Sequence, residues 1–365
     1  MARIEIEKLH RAFGDFVAVK SSDFVVEDCE FFCLLGPSGC GKTTTLRMIA
    51  GLELPTSGRI LLGDEDVTFK RAAERDIAFV FQFFALYPHM SVRQNIAFPL
   101  KSQSVPRRER ALRITEAARA LRIEPLLDRS VGGLSSGDRQ RVALGRAIVR
   151  QPRAFLMDEP LGALDAELRQ VMTGELRALH DRLHCATIYV THDQHEAMSM
   201  ADRIAVMNHG VVEQIGSPRE IYDRPASMFV ADFIGLPPMN FLNFADRLEA
   251  GATEIRLGQA EISVPTLRES LPESELALGV RPEAVLFDDA SALRGAVFGT
   301  EYLGTTQIVT ITTDFGLLRA RVGADRNLHV GERLGLTFRP EKLSLFEKQS
   351  GRAIYTALYE GAAHG

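Results

Sequence analysis

The chain lacks any unbroken apolar run near the ~18 residues needed to span a bilayer; its longest runs are like Phe31 to Leu35. No membrane-crossing helix is therefore expected. Its four cysteines, Cys29, Cys33, Cys40 and Cys185, show no paired C-x-x-C spacing. That indicates neither a zinc site nor a disulfide framework and fits a reducing compartment. The start, Met1-Ala2-Arg3-Ile4-Glu5, alternates in charge and has no apolar core of the signal-peptide kind. The expectation is a chain neither secreted nor self-inserted, whose membrane role, if any, comes through partners. A basic excess is missing too. Lys+Arg number 43 against 48 Asp+Glu, a formal net charge of -5, whereas a general phosphate-backbone binder is usually basic. What is there is ordinary: 45% hydrophobic and 25% charged residues over 365 positions. That composition builds a globular protein of about two domains.

Periodicity divides the chain. Residues 3 to 35 read as strands ending in the apolar run Phe31-Phe32-Cys33-Leu34-Leu35, and a helical stretch from Thr44 to Ala50 stops at Gly51. Residues 74 to 82 give another buried-strand pattern. From about Ser91 to Arg150 the period becomes helical, with Arg107, Arg108, Arg110, Arg113 and Arg119 on what reads as a solvated face. Strand and helix then alternate: Ala154 to Met157, Ala166 to Leu183, Thr187 to Val190, Ile204 to Met207. Such alternation predicts a mainly parallel sheet covered on both faces. Prolines between Pro225 and Pro238 mark a linker. Beyond Asn240 the pattern is short alternating strands, with a weak internal repeat: Arg281-Pro282-Glu283 before Leu286-Phe287, and Arg339-Pro340-Glu341 before Leu345-Phe346. A small all-β domain, a compact barrel, is expected there.

One string carries specific chemistry. Gly36-Pro37-Ser38-Gly39-Cys40-Gly41-Lys42-Thr43 fits G-x-x-x-x-G-K-[ST] at every fixed position. Ordinary residue usage yields that string on the order of once in a hundred chains of this length. It also sits where it must, after an apolar strand and before a helix. Its backbone N–H groups make an anion nest at the positive helix end, Lys42 reaches the outer phosphates of a nucleotide, and Thr43 ligates Mg²⁺. Phe155-Leu156-Met157-Asp158-Glu159 supplies the remaining parts. An apolar strand that ends in an acid places it at the carboxyl edge of the sheet, beside the phosphate loop. Asp158 is thus expected to hold Mg²⁺ through water, and Glu159 to act as general base toward the attacking water.

These residues resemble a family. Leu134-Ser135-Ser136-Gly137-Asp138-Arg139-Gln140-Arg141 looks like the LSGGQ signature of ABC ATPases, Gln82 like their Q-loop, Ala163-Leu164-Asp165 like the D-loop, and Thr191-His192-Asp193 like the switch histidine. The resemblance covers nearly the whole chain and is closest to ATP-binding subunits of bacterial binding-protein-dependent importers of the maltose type. It implies an α/β P-loop NTPase, an ABC cassette with a RecA-like core, over residues 1–235, with a helical subdomain at about 91–150. It also implies a β-rich TOBE or OB-like regulatory domain over 236–365. The implied ligands are ATP and Mg²⁺. Phe13 would stack on adenine, Gly36 to Thr44 would hold the phosphates, and Gln82 would contact Mg²⁺ or the attacking water. His192 would bond the γ-phosphate and help position Glu159. In this family two ATPase subunits form a head-to-tail sandwich, so Ser135, Ser136, Gly137, Asp138 and Asp165 would complete the nucleotide site across the interface. The stretch Phe83-Phe84-Ala85-Leu86-Tyr87 resembles the groove that receives a helix from a membrane subunit. The implied partners are a second ATPase subunit, two integral permease subunits and, indirectly, an external solute-binding protein. The implied place is peripheral, on the cytoplasmic face of the cell membrane.

The Met239-Asn240-Phe241-Leu242 junction and β-rich tail favour carbohydrate, polyol or glycerol-type solutes over polyamines or ferric iron. One P-loop, an acidic balance and no sustained heptads disfavour a soluble ABC ATPase acting on nucleic acid. Two departures stand out: Ser136 where the signature has glycine, and Asp138 where it has glutamine. A Cβ at Ser136 is expected to restrict the backbone, and an inward-pointing Asp138 to weaken phosphate binding. Pairing with an identical copy is favoured; pairing with a different ATPase subunit stays open.

Overall fold

The computed structural model describes residues 2–81, 85–162 and 164–360. Gln82, Phe83, Phe84 and Ala163 lie outside them. The chain divides into two compact units, Met1–Pro218 and Arg219–Gly365.

The first unit opens with strands β1 (Ile4–Phe13) and β2 (Phe16–Val26), which pair antiparallel. Strand β3 (Phe31–Leu35) is buried at every residue, and helix α1 (Lys42–Ala50) follows the glycine-rich turn. The short strands β4 (Ser57–Leu62) and β5 (Glu65–Asp66) extend the β1–β2 sheet; sequence periodicity did not single them out. After β6 (Ile77–Val80) come α2 (Val92–Ser102), α3 (Arg107–Ala120) and α4 (Ser136–Ile148). Helix α2 starts at a reciprocal cap, Ser91 with Gln94, which satisfies two otherwise orphaned donors. The unit closes with β7 (Ala154–Asp158), α5 (Ala166–Leu183), β8 (Ala186–Thr191), α6 (Gln194–Met200), β9 (Arg203–Asn208) and β10 (Val211–Gly216).

Six strands form one sheet in the order β10-β9-β3-β8-β7-β6. All its pairs are parallel except β9 with β10. Strands covered on both faces need apolar side chains on both. That is why β3, β7 and β8 read as unbroken buried runs rather than alternating ones. Strand β3 is central, between β8 and β9, so its carboxyl end and those of β7 and β8 fall along one edge of the sheet.

In the second unit, α7 (Pro218–Asp223) begins at the boundary and α8 (Met228–Phe233) lies inside the proline-bounded segment read as a linker. Val230 and Ala231 of α8 are buried, so packing holds this segment as part of the unit. Strands β11 (Asn240–Leu248), β12 (Glu254–Leu257), β13 (Ala260–Ser263), β14 (Leu271–Val280), β15 (Val285–Phe287), β16 (Arg294–Tyr302), β17 (Thr306–Thr313), β18 (Gly316–Gly323), β19 (Arg333–Phe338) and β20 (Leu343–Glu347) make three sheets. One apolar core, including Leu242, Leu278, Val309 and Leu345, joins them. The two repeats are structural equivalents. Each folds as a short 3-10 turn, Pro282–Ala284 and Pro340–Lys342, ahead of a strand. The strand after each copy pairs with the strand before the other, β15 with β19 and β20 with β14.

Candidate functional site

The phosphate loop begins where β3 ends. Gly41 lies at φ 104°, and a Cβ there would stand 2.5 Å from the Ala18 carbonyl oxygen of β2. Only glycine supplies both the torsion and the close approach. The β1–β2 hairpin is thereby brought against the loop, and Phe13 at its tip is 45% exposed with the Arg11 guanidinium 4.3 Å from its ring centroid. Cys40 is buried, its thiol pushed up by burial. Ser38 and Gly39 face solvent, while Thr44 is half-buried on α1.

Lys42 is the most telling side chain. It is 4% exposed, and its Nζ donates to the carbonyls of Gly36 and Pro37 at 2.8 and 2.9 Å. No carboxylate among the described residues lies within ion-pair distance of it. A buried ammonium held by two neutral carbonyls, with the Cys40 sulfur 3.8 Å away, leaves most of its charge unanswered. Together with the N-terminal end of α1, it makes a place for an anion of several charges.

Beside it, Thr43 Oγ1 donates to Asp158 Oδ1 at 2.8 Å. Burial raises the Asp158 pKa, partly offset by the Thr43 hydrogen bond and by Arg47. Among the described residues no group of three or more His, Cys, Asp or Glu could hold a metal. This donor set suits Mg²⁺, which takes one or two protein oxygens and completes its shell with phosphate and water. Glu159 adopts φ 43°, left-handed for a residue with a side chain, which costs about 1 kcal/mol or more. The torsion is held by its N–H donating to the Val190 carbonyl at 3.0 Å. Its Oε2 lies 3.2 Å from His192 Nδ1. Four of the expected residues, Thr43, Asp158, Glu159 and His192, thus meet along the sheet edge.

A layer that sequence reasoning missed supports His192. Tyr189 and Thr191 hydroxyls both donate to Glu196 Oε2 at 2.7 Å. Asp193 caps α6 through the His195 and Glu196 N–H groups, and Arg169 Nη1 lies 3.2 Å from Asp193 Oδ2. Burial raises the Glu196 pKa, against the pull of the two hydroxyls. The only signal in the sequence was the i, i+2 and i+7 spacing of hydroxyls and acid across a strand and a helix, which has no local meaning.

The signature residues stand apart. Among the described residues no hydrogen bond or ion pair joins Ser135, Ser136, Gly137 or Asp138 to the phosphate loop. Ser135 caps α4: its hydroxyl accepts from the Asp138 N–H at 3.1 Å and donates to Asp138 Oδ2 at 2.8 Å. The expected strain at Ser136 is absent, because it is the first helical residue of α4 and not a left-handed one. Asp138 is answered within the chain by Ser135 and by Arg141, 3.4 Å away. Asp165 caps α5, accepting from the Leu168 N–H at 2.9 Å. On the helical part, a groove of about 520 Å³ is lined by Phe81, Ala85, Tyr87, Phe98, Ala143 and Arg146 among others.

Comparison with known proteins agrees with this geometry. The ABC transporter family pattern matches residues 19–162 and the TOBE domain pattern residues 278–346. The trehalose/maltose import ATP-binding protein MalK of Thermococcus litoralis is 46% identical over 376 residues, covering 97% of this chain and 100% of that protein. An sn-glycerol-3-phosphate import ATP-binding protein, UgpC 3 of Rhizobium etli, is 52% identical over 288 residues, 79% of each. A solved structure described as the dimeric structure of a bacterial ABC transporter cassette superposes with TM-score 0.53 at 29% identity, covering 59% of this chain and 99% of that one. A glycine-rich loop with a buried lysine, a strand-end acid pair and His192 on one sheet edge, within a chain matched along its length, make this protein a member of the ATP-binding subunits of ABC transporters, with a C-terminal TOBE domain.

Proposed function

We propose that the chain hydrolyses Mg²⁺-ATP to drive import of a carbohydrate, polyol or glycerol-type solute through a binding-protein-dependent transporter. The observation that carries the chemistry is the Glu159–His192 contact of 3.2 Å, one residue beyond the Thr43–Asp158 pair. On binding nucleotide, Lys42 exchanges its two loop carbonyls for phosphate oxygens, a swap favoured because the partner becomes charged. Thr43, Asp158 and Gln82 would hold Mg²⁺, which supplies charge neutralisation at the phosphates. Glu159 accepts the proton of the attacking water, and His192 holds the Glu159 carboxylate in place.

The separation of the signature residues from the phosphate loop supports their use by a facing copy. Ser135 to Asp138, with Asp165, would complete the partner's nucleotide site, and Phe13 would take the adenine on its open face. ATP then closes two copies on each other, and hydrolysis releases them. The groove at Tyr87 and Phe98 would receive a helix of one permease subunit, and the facing copy's groove a helix of the second. No helix of the described residues is long and apolar enough to cross a membrane, and we place the protein peripherally on the cytoplasmic face. The solute class follows from the relatives' transported compounds, trehalose, maltose and sn-glycerol-3-phosphate. Reconstitution with the cognate permease in vesicles tests the whole reading: ATP-dependent uptake of one of these is expected. Normal ATPase with no association with any permease would overturn it.

A further inference from the structure

We propose that helix α5 couples the two ATP sites of the assembled pair, with Arg169 as the positioning residue that ties the switch histidine to it. The inference rests on the function proposed above, in which α4 serves the facing copy's nucleotide and His192 serves this chain's own.

Both elements are fastened to the same helix. On the signature side, a Cβ at Gly137 would stand 2.9 Å from Leu168 Cδ2, so α4 lies close against the first turn of α5. Farther along, Arg141 of α4 grips Glu175 of α5 with two bonds, Nε to Oε2 at 3.1 Å and Nη2 to Oε1 at 3.3 Å. Arg141 also meets Asp138, which in turn bonds Ser135. The unusual aspartate of the signature is therefore the first link of a charged chain, Ser135–Asp138–Arg141–Glu175, that ends on α5.

On the switch side, Arg169 sits one turn into α5. Its Nη2 donates to the Leu164 carbonyl at 3.1 Å, and its Nη1 to Asp193 Oδ2 at 3.2 Å. Its Nε lies 3.7 Å from Glu196 Oε1. Asp193 follows His192 directly, and Glu196 accepts from the Tyr189 and Thr191 hydroxyls, both on the strand just ahead of it. A planar guanidinium that reaches three groups at once fixes an angle that a point charge does not. When α4 shifts on gripping the facing nucleotide, α5 carries the shift to Asp193, and the Glu159–His192 geometry responds. Coupling of this kind is reciprocal between the two sites.

The test uses the ATPase assembled with its permease, measuring turnover against ATP concentration. The wild type is expected to be sigmoidal. Arg169→Gln is expected to lower kcat by ~10- to 100-fold, the loss a small misplacement of a reacting group produces, with KM changed less than about twofold and a Hill coefficient near 1. Glu175→Gln, on the other side of α5, is expected to abolish sigmoidality with a smaller fall in kcat. Asp193→Asn keeps an oxygen to cap α6 but loses the ion pair, so it carries the test if Arg169→Gln does not fold. Combined with Arg169→Gln it is expected to add nothing further. A hyperbolic wild type, unchanged Hill coefficients in Arg169→Gln and Asp193→Asn, or effects that multiply in the double variant would each overturn the inference. Failure of the functional reading looks different: Glu159→Gln would then hydrolyse ATP at full rate.

Discussion

Each of the two units buries one arginine, and the pair shows what separates the units. Arg75 in the first is 1% exposed and Arg281 in the second 2%. Neither has a carboxylate within ion-pair distance among the described residues, and burial lowers the pKa of both. Both stay charged by collecting helix-end carbonyls, which carry the negative end of the helix dipole. Arg75 Nη1 donates to Met48 and Ile49 at the end of α1, Nη2 to Thr68 and Nε to Lys70, so every nitrogen is used. Arg281 donates to Ala231, Ile234 and Tyr222 at the ends of α8 and α7, but its Nε has no hydrogen-bond partner and the Tyr222 ring lies 4.2 Å away. The same device does different work. Arg75 anchors the helix whose other end is the phosphate loop; Arg281 fastens two short helices to a β structure.

That contrast can be broken in several ways. The largest effect is expected from Glu159→Gln, which should cut ATP turnover by ~10²- to 10⁴-fold, the range for removing a general base, while nucleotide binding measured by fluorescence titration persists. Arg281→Met should leave turnover per folded molecule within about twofold of wild type; a collapse of activity would mean the second unit shares the chemistry. Arg75→Met leaves four carbonyls without their donor, and calorimetry should show the first unit destabilised by ~3–5 kcal/mol. Arg281→Met, with fewer bonds to lose, should cost the second unit ~2–4 kcal/mol. Gly137→Ala forces Leu168 aside and is expected to cost ~1–3 kcal/mol, again only in the first unit.

Smaller effects sharpen the picture. Burial raises the Glu196 pKa above its unfolded value, so the native state holds that proton more tightly than the unfolded one. Stability from this group is full at pH below the unfolded carboxylate pKa and is lost as pH rises through the raised native value. Thermal melts of Glu196→Gln should therefore lack this loss, and the gap between wild type and variant should widen from acid to neutral pH. Smallest is Ser136→Gly, within about 0.5 kcal/mol, because Ser136 already has helical torsions; a large gain in turnover would reinstate the strain expected from sequence.

The legible parts were those whose chemistry is local. The turn from Gly36 to Thr43 announces itself because backbone N–H groups must point inward over a few consecutive residues, and β3, β7 and β8 because a strand covered on both faces is apolar throughout. Helix α5 was read at its observed bounds, Ala166–Leu183, from the alternation of strand and helix patterns. Strands β4 and β5 and helix α8 were not read: they are short, so their period is weak, and packing decides them. Arg75, Arg281 and Glu196 gave no sign, since their partners lie on elements brought near only by folding.

Sequence alone determined that this chain binds a polyphosphate and carries an acid pair and a histidine at strand ends, because each depends on neighbours a few residues away. Tertiary structure decided the rest: the torsion that aims Glu159 at His192, the Glu175 carboxylate that meets Arg141, and the arginines that hold helix ends. These are distances between segments far apart in the chain, and only the packed sheet and helices set them.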